Sequence, residues 1–162
     1  MSKGLLPRGI RNHNPGNIVH STNAWRGKSL NQTDPRFVVF DDPLWGIRAI
    51  ARTLCTYQMY RLATDGSCID SVREIISRWA PLTENDTHAY VHHVAACLEV
   101  DPDDPVVDVT DYHTLRRLVL AIIGHENGEG PMPCGGWYPG YVIDGGLYAA
   151  GAMRSASAAI PA

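Results

Sequence analysis

The sequence predicts a mainly α-helical protein with one domain. Apolar residues recur at helical spacing in four segments between residues 43 and 127, and capping residues or prolines bound these segments. A length of 162 residues suits a single domain with a sizeable core. We therefore expect one domain over residues 1–150, followed by a flexible tail, rich in alanine and serine, over residues 151–162.

The first forty residues are expected to be largely irregular. Glycine, proline and asparagine dominate residues 9–17, which indicates turns. Residues 37–40 (Phe-Val-Val-Phe) have the composition of a short strand between Pro35 and Pro43. A short irregular or β-hairpin region is thus predicted ahead of the helices.

Four helices are predicted after this region. The first runs from Pro43, a residue favoured in a first helical turn, to about Leu62, and the second runs from about Cys68 to Trp79. The third begins near Asp86 or Thr87. The fourth is capped near Thr110 or Asp111, runs to about Glu126 and ends at Gly128; beyond it we expect loops.

Glu126 is a candidate general acid because it continues the apolar stripe of the fourth helix. It follows Ile122 by four residues and Val119 by seven, so the three share one face. Burial and the negative end of the helix dipole both favour a protonated carboxyl, the form that a general acid needs. The alternative is a structural carboxylate paired with an arginine of the preceding helices, Arg48, Arg52 or Arg78.

The segment at residues 9–18 carries a family resemblance. It reads Gly-Ile-Arg-Asn-His-Asn-Pro-Gly-Asn-Ile and resembles the G-I-R-N-N-N-P-G-N-I opening of phage and prophage lysozyme-like proteins. Later motifs follow a similar order: W-R-G at 25–27, G-I-R-A at 46–49, R-W-A-P at 78–81 and E-N-D-T at 84–87 with Tyr90. The likeness extends over roughly residues 9–128. It implies a lysozyme-like α+β domain that acts on the glycan strands of bacterial peptidoglycan.

A circular permutation is one interpretation of the motif order. The same order is similar to that in bacterial glucosaminidases and transglycosylases, where the catalytic glutamate ends a helix that precedes these motifs. This chain has no glutamate before Glu74, whereas E-N-G at 126–128 lies near the other end of the matching region. Folds tolerate such a rearrangement when the termini lie close together.

The predicted catalytic residue is Glu126, and Glu84 is its rival. Glu84 falls in the loop before the third helix, where a helix N-terminus favours an ionised carboxylate. That environment suits a base or a sugar ligand better than an acid. No second carboxylate is clearly placed, so the two-carboxylate geometry of glycosidases cannot be inferred from the sequence.

The predicted substrate-binding residues are polar or aromatic: Asn14, Asn17, Tyr90 and Trp137. The two asparagines can contact N-acetyl sugars, although turns alone explain such residues. Tyr90 lines the cleft according to the resemblance, and core packing is its alternative. Among the four tryptophans, which are usually core residues, Trp137 is the best placed to stack on a sugar because it follows the proposed acid in a Gly-rich loop.

No metal site and no cofactor are predicted. His88, His92 and His93 form an H-x-x-x-H-H pattern, and two histidines four residues apart on a helix can bind zinc. The general base of the H-E-x-x-H motif is missing, since Ala89 occupies its position. A zinc-dependent amidase or peptidase is therefore the third alternative.

The favoured function is cleavage of the bond between N-acetylmuramic acid and N-acetylglucosamine, as a muramidase or a lytic transglycosylase. Glu126 would protonate the glycosidic oxygen, and water or the 6-hydroxyl of the substrate would attack. The second hypothesis is a non-catalytic phage structural or wall-binding module with the same shape.

The remaining expectations concern partners and location. A net charge of -3 gives no sign of a nucleic-acid partner, and no apolar run is long enough to span a bilayer. The first eight residues do not form a secretory signal. We expect a monomer made in the host cytoplasm that reaches the periplasmic or external wall after release, or that is carried in a phage particle.

Overall fold

The computed structural model describes residues 4–81 and 86–152 of the chain. Within these ranges the protein is mainly helical, which confirms the predicted class. The helices are α1 (Arg8–Arg11), α2 (Pro43–Tyr60), α3 (Val72–Trp79), α4 (Thr87–Leu98), α5 (Tyr112–Asn127) and α6 (Gly140–Ala149). None of the helices in this part of the chain is both long and apolar enough to cross a membrane.

Side-chain caps set the starts of the four predicted helices. Asp42 accepts a hydrogen bond from the Leu44 amide at the start of α2, and Asp86 and Asp111 cap α4 and α5 in the same manner. Gly128, with a φ of 74°, ends α5 as expected. Both termini of α2 and α5, and the start of α4, thus agree with the predictions to within about two residues.

Helix α3 begins four residues later than predicted. Ser71 caps the helix and Glu74 returns a hydrogen bond to the Ser71 amide, which forms a capping box. This box places the first helical residue at Val72 rather than at Cys68. Ile69 is buried although it precedes the helix. Its apolar side chain fits the helical spacing of the later residues, and for this reason the sequence predicts too early a start.

The predicted strand at residues 37–40 is wrong. Phe37 and Phe40 form isolated antiparallel bridges to Val19 and Lys28. The amides between and around them donate elsewhere: Val38 to the Ile18 carbonyl and Val39 to the side chain of Gln32. Since the partner changes at each residue, no regular ladder forms, although Val38 and Phe40 are buried as a strand composition would require.

Two helices were not predicted, α1 and α6. Helix α6 contains three glycines, which the sequence pattern treated as loop residues. One of them, Gly146, lets α6 approach α2 closely, since an added Cβ would lie 2.4 Å from Cγ2 of Ile47. The glycines of this region therefore serve helix packing and not only chain reversal.

Helix α5 runs through the centre of the fold. Its face of Leu115, Leu118, Val119 and Ile122 is fully buried, and it contacts α1, α2, α4 and α6. Its C-terminal end meets the segment at residues 14–17, through hydrogen bonds from Asn17 to Glu126 and from Asn127 to Pro15. Of the expected tail, Ala152 still packs against the core, while residues 153–162 lie outside the described part of the chain.

Candidate functional site

A cleft of about 490 Å³ lies between the N-terminal segment, α2, α3 and the end of α5. Four aromatic side chains line it: Trp25, Phe37, Tyr57 and Trp79. Its polar lining includes Asn17, Asn23, Thr53, Arg36, Arg78 and Glu126. A mixed aromatic and polar lining of this kind is typical of sites for small ligands and sugars.

Glu126 lies in the last turn of α5 with its carboxyl at this cleft. It is half-buried, and both carboxyl oxygens accept hydrogen bonds. Nδ2 of Asn17 donates to Oε2 at 2.9 Å, and the hydroxyl of Tyr90 donates to Oε1 at 3.0 Å. The structure therefore brings together three of the predicted site residues.

The end of α5 is tied to the segment that carries Asn17. Nδ2 of Asn127 donates to the Pro15 carbonyl at 2.7 Å and to the Ile123 carbonyl at 2.9 Å. Asn17 has a φ of 49°, in the left-handed region that asparagine tolerates better than most residues. This tight turn directs the Asn17 amide at the Glu126 carboxyl.

Gly9 lies beneath this junction. An added Cβ there would be 2.6 Å from Oδ1 of Asn127, 2.9 Å from the Asn14 carbonyl and 3.0 Å from Oδ1 of Asn17. Those two side-chain amide oxygens are buried and have no hydrogen-bond partner among the described residues. The glycine of the opening motif thus leaves the space in which both amides are held.

Tyr90 reaches Glu126 from α4 and is 2% exposed. Burial, followed by the neighbouring charge of Glu126, raises the pKa of Tyr90, so its hydroxyl remains a donor. Its ring stacks on His125 with 3.7 Å between centroids. Nδ1 of His125 in turn lies 2.8 Å from Nδ1 of His93, and burial together with His93 lowers the pKa of His125.

Asn14 does not reach the cleft. It is completely buried, its Oδ1 accepts from the Ile18 amide, and its Nδ2 donates to the Ile18 and Val38 carbonyls. Because every polar group of this side chain is occupied, Asn14 organises the turn instead of contacting a ligand. Its neighbour Asn17, three residues later, takes the position at the cleft.

Trp137 also lies away from the cleft lining. Its indole nitrogen donates to the Gly128 carbonyl at 2.9 Å, and its ring packs against the core beyond the end of α5. Trp25 and Trp79 occupy the cleft instead. Both are among the four tryptophans of the chain, of which the sequence favours Trp137 for stacking on a sugar because it follows Glu126 closely.

Glu84, the rival acid, lies outside the described residues. The arginines expected for a structural ion pair have other partners: Arg48 donates to the Ala149 carbonyl, and Arg52 lies 3.5 Å from the Ala150 carbonyl. Arg78 stacks over the Tyr57 ring. No ion pair to Glu126 is found within residues 4–81 and 86–152.

The histidines of α4 do not assemble a metal centre with other side chains in the described ranges. His88 and His92 pack edge to face with 4.4 Å between ring centroids, and His93 bonds to His125. No group of three or more histidine, cysteine or carboxylate side chains there has the geometry to hold a metal ion.

Most of the residues that line the cleft were not predicted to bind a ligand, among them Arg36, Phe37 and Tyr57. Tyr57 continues the apolar stripe of α2, so its spacing is the same as that of a core residue. The composition of residues 37–40 predicts a strand for Phe37. The guanidinium groups of Arg8 and Arg36 lie 4.7 and 5.2 Å from the centre of its ring, an arrangement that sequence spacing does not reveal.

Comparison with known proteins places the chain among bacteriophage proteins. No protein-family profile matches it. Protein P5 of Pseudoalteromonas phage PM2 is 38% identical to it over 128 residues, which cover 76% of this chain and 73% of Protein P5. Most of both chains is thus aligned at an identity that shows common descent, and the chain belongs to the family of this bacteriophage protein.

Proposed function

We propose that the chain is a peptidoglycan-degrading glycosidase of phage or prophage origin, a muramidase or a lytic transglycosylase. The observation that carries the proposal is the Glu126 carboxyl, which lies at an aromatic-lined cleft with Asn17 and Tyr90 bonded to its two oxygens. The family membership supports the phage origin, and the helical fold is compatible with a permuted lysozyme-like domain.

In the proposed reaction Glu126 acts as the general acid. Its carboxylic acid transfers a proton to the glycosidic oxygen as the bond from that oxygen to the anomeric carbon breaks. The hydrogen bonds from Asn17 and Tyr90 stabilise the carboxylate that remains, and they hold it in one orientation. Water, or the 6-hydroxyl of the same sugar, then attacks the anomeric carbon and returns a proton to Glu126.

The charge of the cleft favours a mechanism with one carboxyl group. Among the described residues that line the cleft, Glu126 is the sole carboxylate. A single acid suffices when the substrate supplies its own nucleophile, as in the attack by a 6-hydroxyl that produces an anhydro sugar. A Glu84→Gln variant assayed in the same experiment tests a two-carboxylate mechanism.

The test is incubation of purified peptidoglycan with the protein, followed by mass spectrometry of the soluble products. Anhydro-ended fragments would indicate transglycosylation, and reducing ends at N-acetylmuramic acid would indicate a muramidase. We expect the same products in the presence of a strong chelator. Release of peptides alone, abolished by chelator and restored by zinc, would instead favour the amidase or peptidase alternative.

A wall-binding module without catalytic activity is the second candidate. It is favoured by one feature: both oxygens of Glu126 already accept hydrogen bonds, as in a carboxylate fixed to bind sugar hydroxyls. Such a protein would sediment with peptidoglycan and release no products. The two candidates are therefore separated by assaying binding and turnover in the same sample.

A further inference from the structure

A second hollow, of about 390 Å³, adjoins the cleft and shares Arg78 and Pro81 with it. Its other walls include Leu62, Ala63 and Ile69, so it is partly apolar. A ligand that occupies the cleft could therefore extend a branch past Arg78 into this hollow. The proposed glycosidase reaction does not use this space.

Arg78 is positioned at the junction without an ionic partner. It is exposed in the last turn of α3, and its guanidinium lies 5.5 Å from the centre of the Tyr57 ring. It forms no ion pair within residues 4–81 and 86–152. By contrast, Arg73 on the same helix makes a two-pronged contact with Asp103.

The charges around the junction favour an anion. Arg78 is the charged residue that the cleft and the hollow share. The carboxylate of Glu74, which also lines the hollow, is turned towards the start of α3, where its Oε2 accepts hydrogen bonds from the Asp70 and Ser71 amides. An arginine at a concave site that has no ion-pair partner among the described residues attracts anionic groups.

We propose that Arg78 binds a carboxylate of the peptide stem that substitutes the glycan, and that the second hollow receives this stem. The inference rests on the proposed function, and it names the substrate as peptide-substituted glycan. A guanidinium forms paired hydrogen bonds with a carboxylate, and stacking on Tyr57 holds Arg78 ready to do so. An oligomer of N-acetylglucosamine has no carboxylate for this position.

The proposal is tested by binding, with turnover blocked by Glu126→Gln. Soluble peptide-substituted glycan fragments and oligomers of N-acetylglucosamine, which carry no carboxylate, are titrated, and the fluorescence of the cleft tryptophans Trp25 and Trp79 reports binding. We expect the peptide-substituted fragments to bind about tenfold more tightly, as one exposed charge-assisted contact allows. Conversion of the stem carboxylates to amides should remove this preference without any change in the protein.

Two variants on one helix complete the test. Arg78→Gln should abolish the preference, whereas Arg73→Gln, which removes the same charge outside both cavities, should retain it. Equal affinity for both fragments, or equal behaviour of the two variants, would overturn this inference and leave the proposed glycosidase untouched. Failure of the unmodified protein to bind or cleave either fragment would overturn the proposed function and this inference together.

Discussion

Asn17 and Glu126, separated by 109 positions in the chain, meet in a 2.9 Å hydrogen bond between Nδ2 of the amide and Oε2 of the carboxyl. The bond joins the motif at residues 9–18 to the end of the central helix. The adjacent bond from Asn127 to the Pro15 carbonyl repeats the connection one residue later. The proposed acid is thus held by the segment that carries the family resemblance.

Glu126→Gln tests the proposed acid. Gln preserves the shape of the side chain but cannot donate a proton to the glycosidic oxygen, so turnover should fall by about 10²–10⁴-fold. Stability should change by less than about 1 kcal/mol, because the partners of Glu126 are neutral donors and not a buried arginine. Product release and a thermal melt measure the two effects.

A strongly destabilised Glu126→Gln protein would support a structural carboxylate. A stable and fully active one would refute the assignment and make Glu84 the next residue to test.

Tyr90→Phe removes the hydroxyl that orients Glu126 and keeps the ring that stacks on His125. We expect turnover to fall about tenfold or more with little change in KM, and stability to fall by about 1 kcal/mol. The matched control is Tyr138→Phe. The Tyr138 hydroxyl is buried and has no hydrogen-bond partner among the described residues, so its loss should leave stability and turnover near those of the unmodified protein. Equal turnover in the two variants would argue against a role for Tyr90.

Gly9→Ala should destabilise the protein and disturb the site. The new methyl group would overlap the amide oxygens of Asn127 and Asn17, and the required displacement should cost about 1–3 kcal/mol. The control, Gly124→Ala, adds the same methyl group to α5 where no atom lies within 4 Å, and it should stabilise by about 0.5–1 kcal/mol. Urea unfolding measures both changes, and a Gly9→Ala protein of unchanged stability would contradict the close packing of Gly9 against Asn17 and Asn127.

The stability of the folded protein at acid pH should depend on Asp34. Its side chain is 8% exposed, and Arg8, with further hydrogen bonds from the Phe37 amide and Asn12, holds the pKa of Asp34 well below its usual value. An acid with a lowered pKa in the folded state contributes stability that is complete above the unfolded pKa of about 3.9 and is lost below it. Asp34→Asn should therefore be less stable at pH 7, with the difference shrinking as the pH falls towards 3.

Urea midpoints at pH 7, 5, 4 and 3 would show this trend. A difference between the two proteins that stays constant over this range would show that the ionised form of Asp34 contributes nothing.

His125 should make the α4–α5 contact sensitive to mild acid. Burial and the nearby His93 lower the pKa of His125, so the unfolded chain binds a proton more readily than the folded protein does. Stability should accordingly decrease as the pH falls through about 6.5, the ordinary value for histidine. In His93→Gln the neighbouring positive charge is absent, so the pKa of His125 should rise and the loss in acid should lessen. NMR titration of His125 and thermal melts at pH 5.5 and 7.5 measure both; a pKa of His125 at or above 6.5 would contradict the prediction.

Local interactions explain what could be predicted from the sequence. The caps Asp42, Asp86 and Asp111 and the terminator Gly128 act within a few residues, and the apolar stripe of α5 repeats at a known period. These signals located four helices and placed Glu126 on the buried face near a helix end. Such local rules did not predict α6, because its glycines are explained only by the close packing of α6 on α2.

The roles of Asn14 and Asn17 show what the sequence by itself determined and what only the tertiary structure decided. The sequence alone predicted that both asparagines form turns, in a motif that resembles that of cell-wall hydrolases. It also identified Glu126, because this residue continues the helical spacing of the apolar residues in α5. The tertiary structure buried Asn14 among backbone partners and aimed Asn17 at Glu126, from the other end of the fold. The physical reason is that a side chain's type and local turn are set by near neighbours, whereas its exposure and its distant partner depend on how the helices pack.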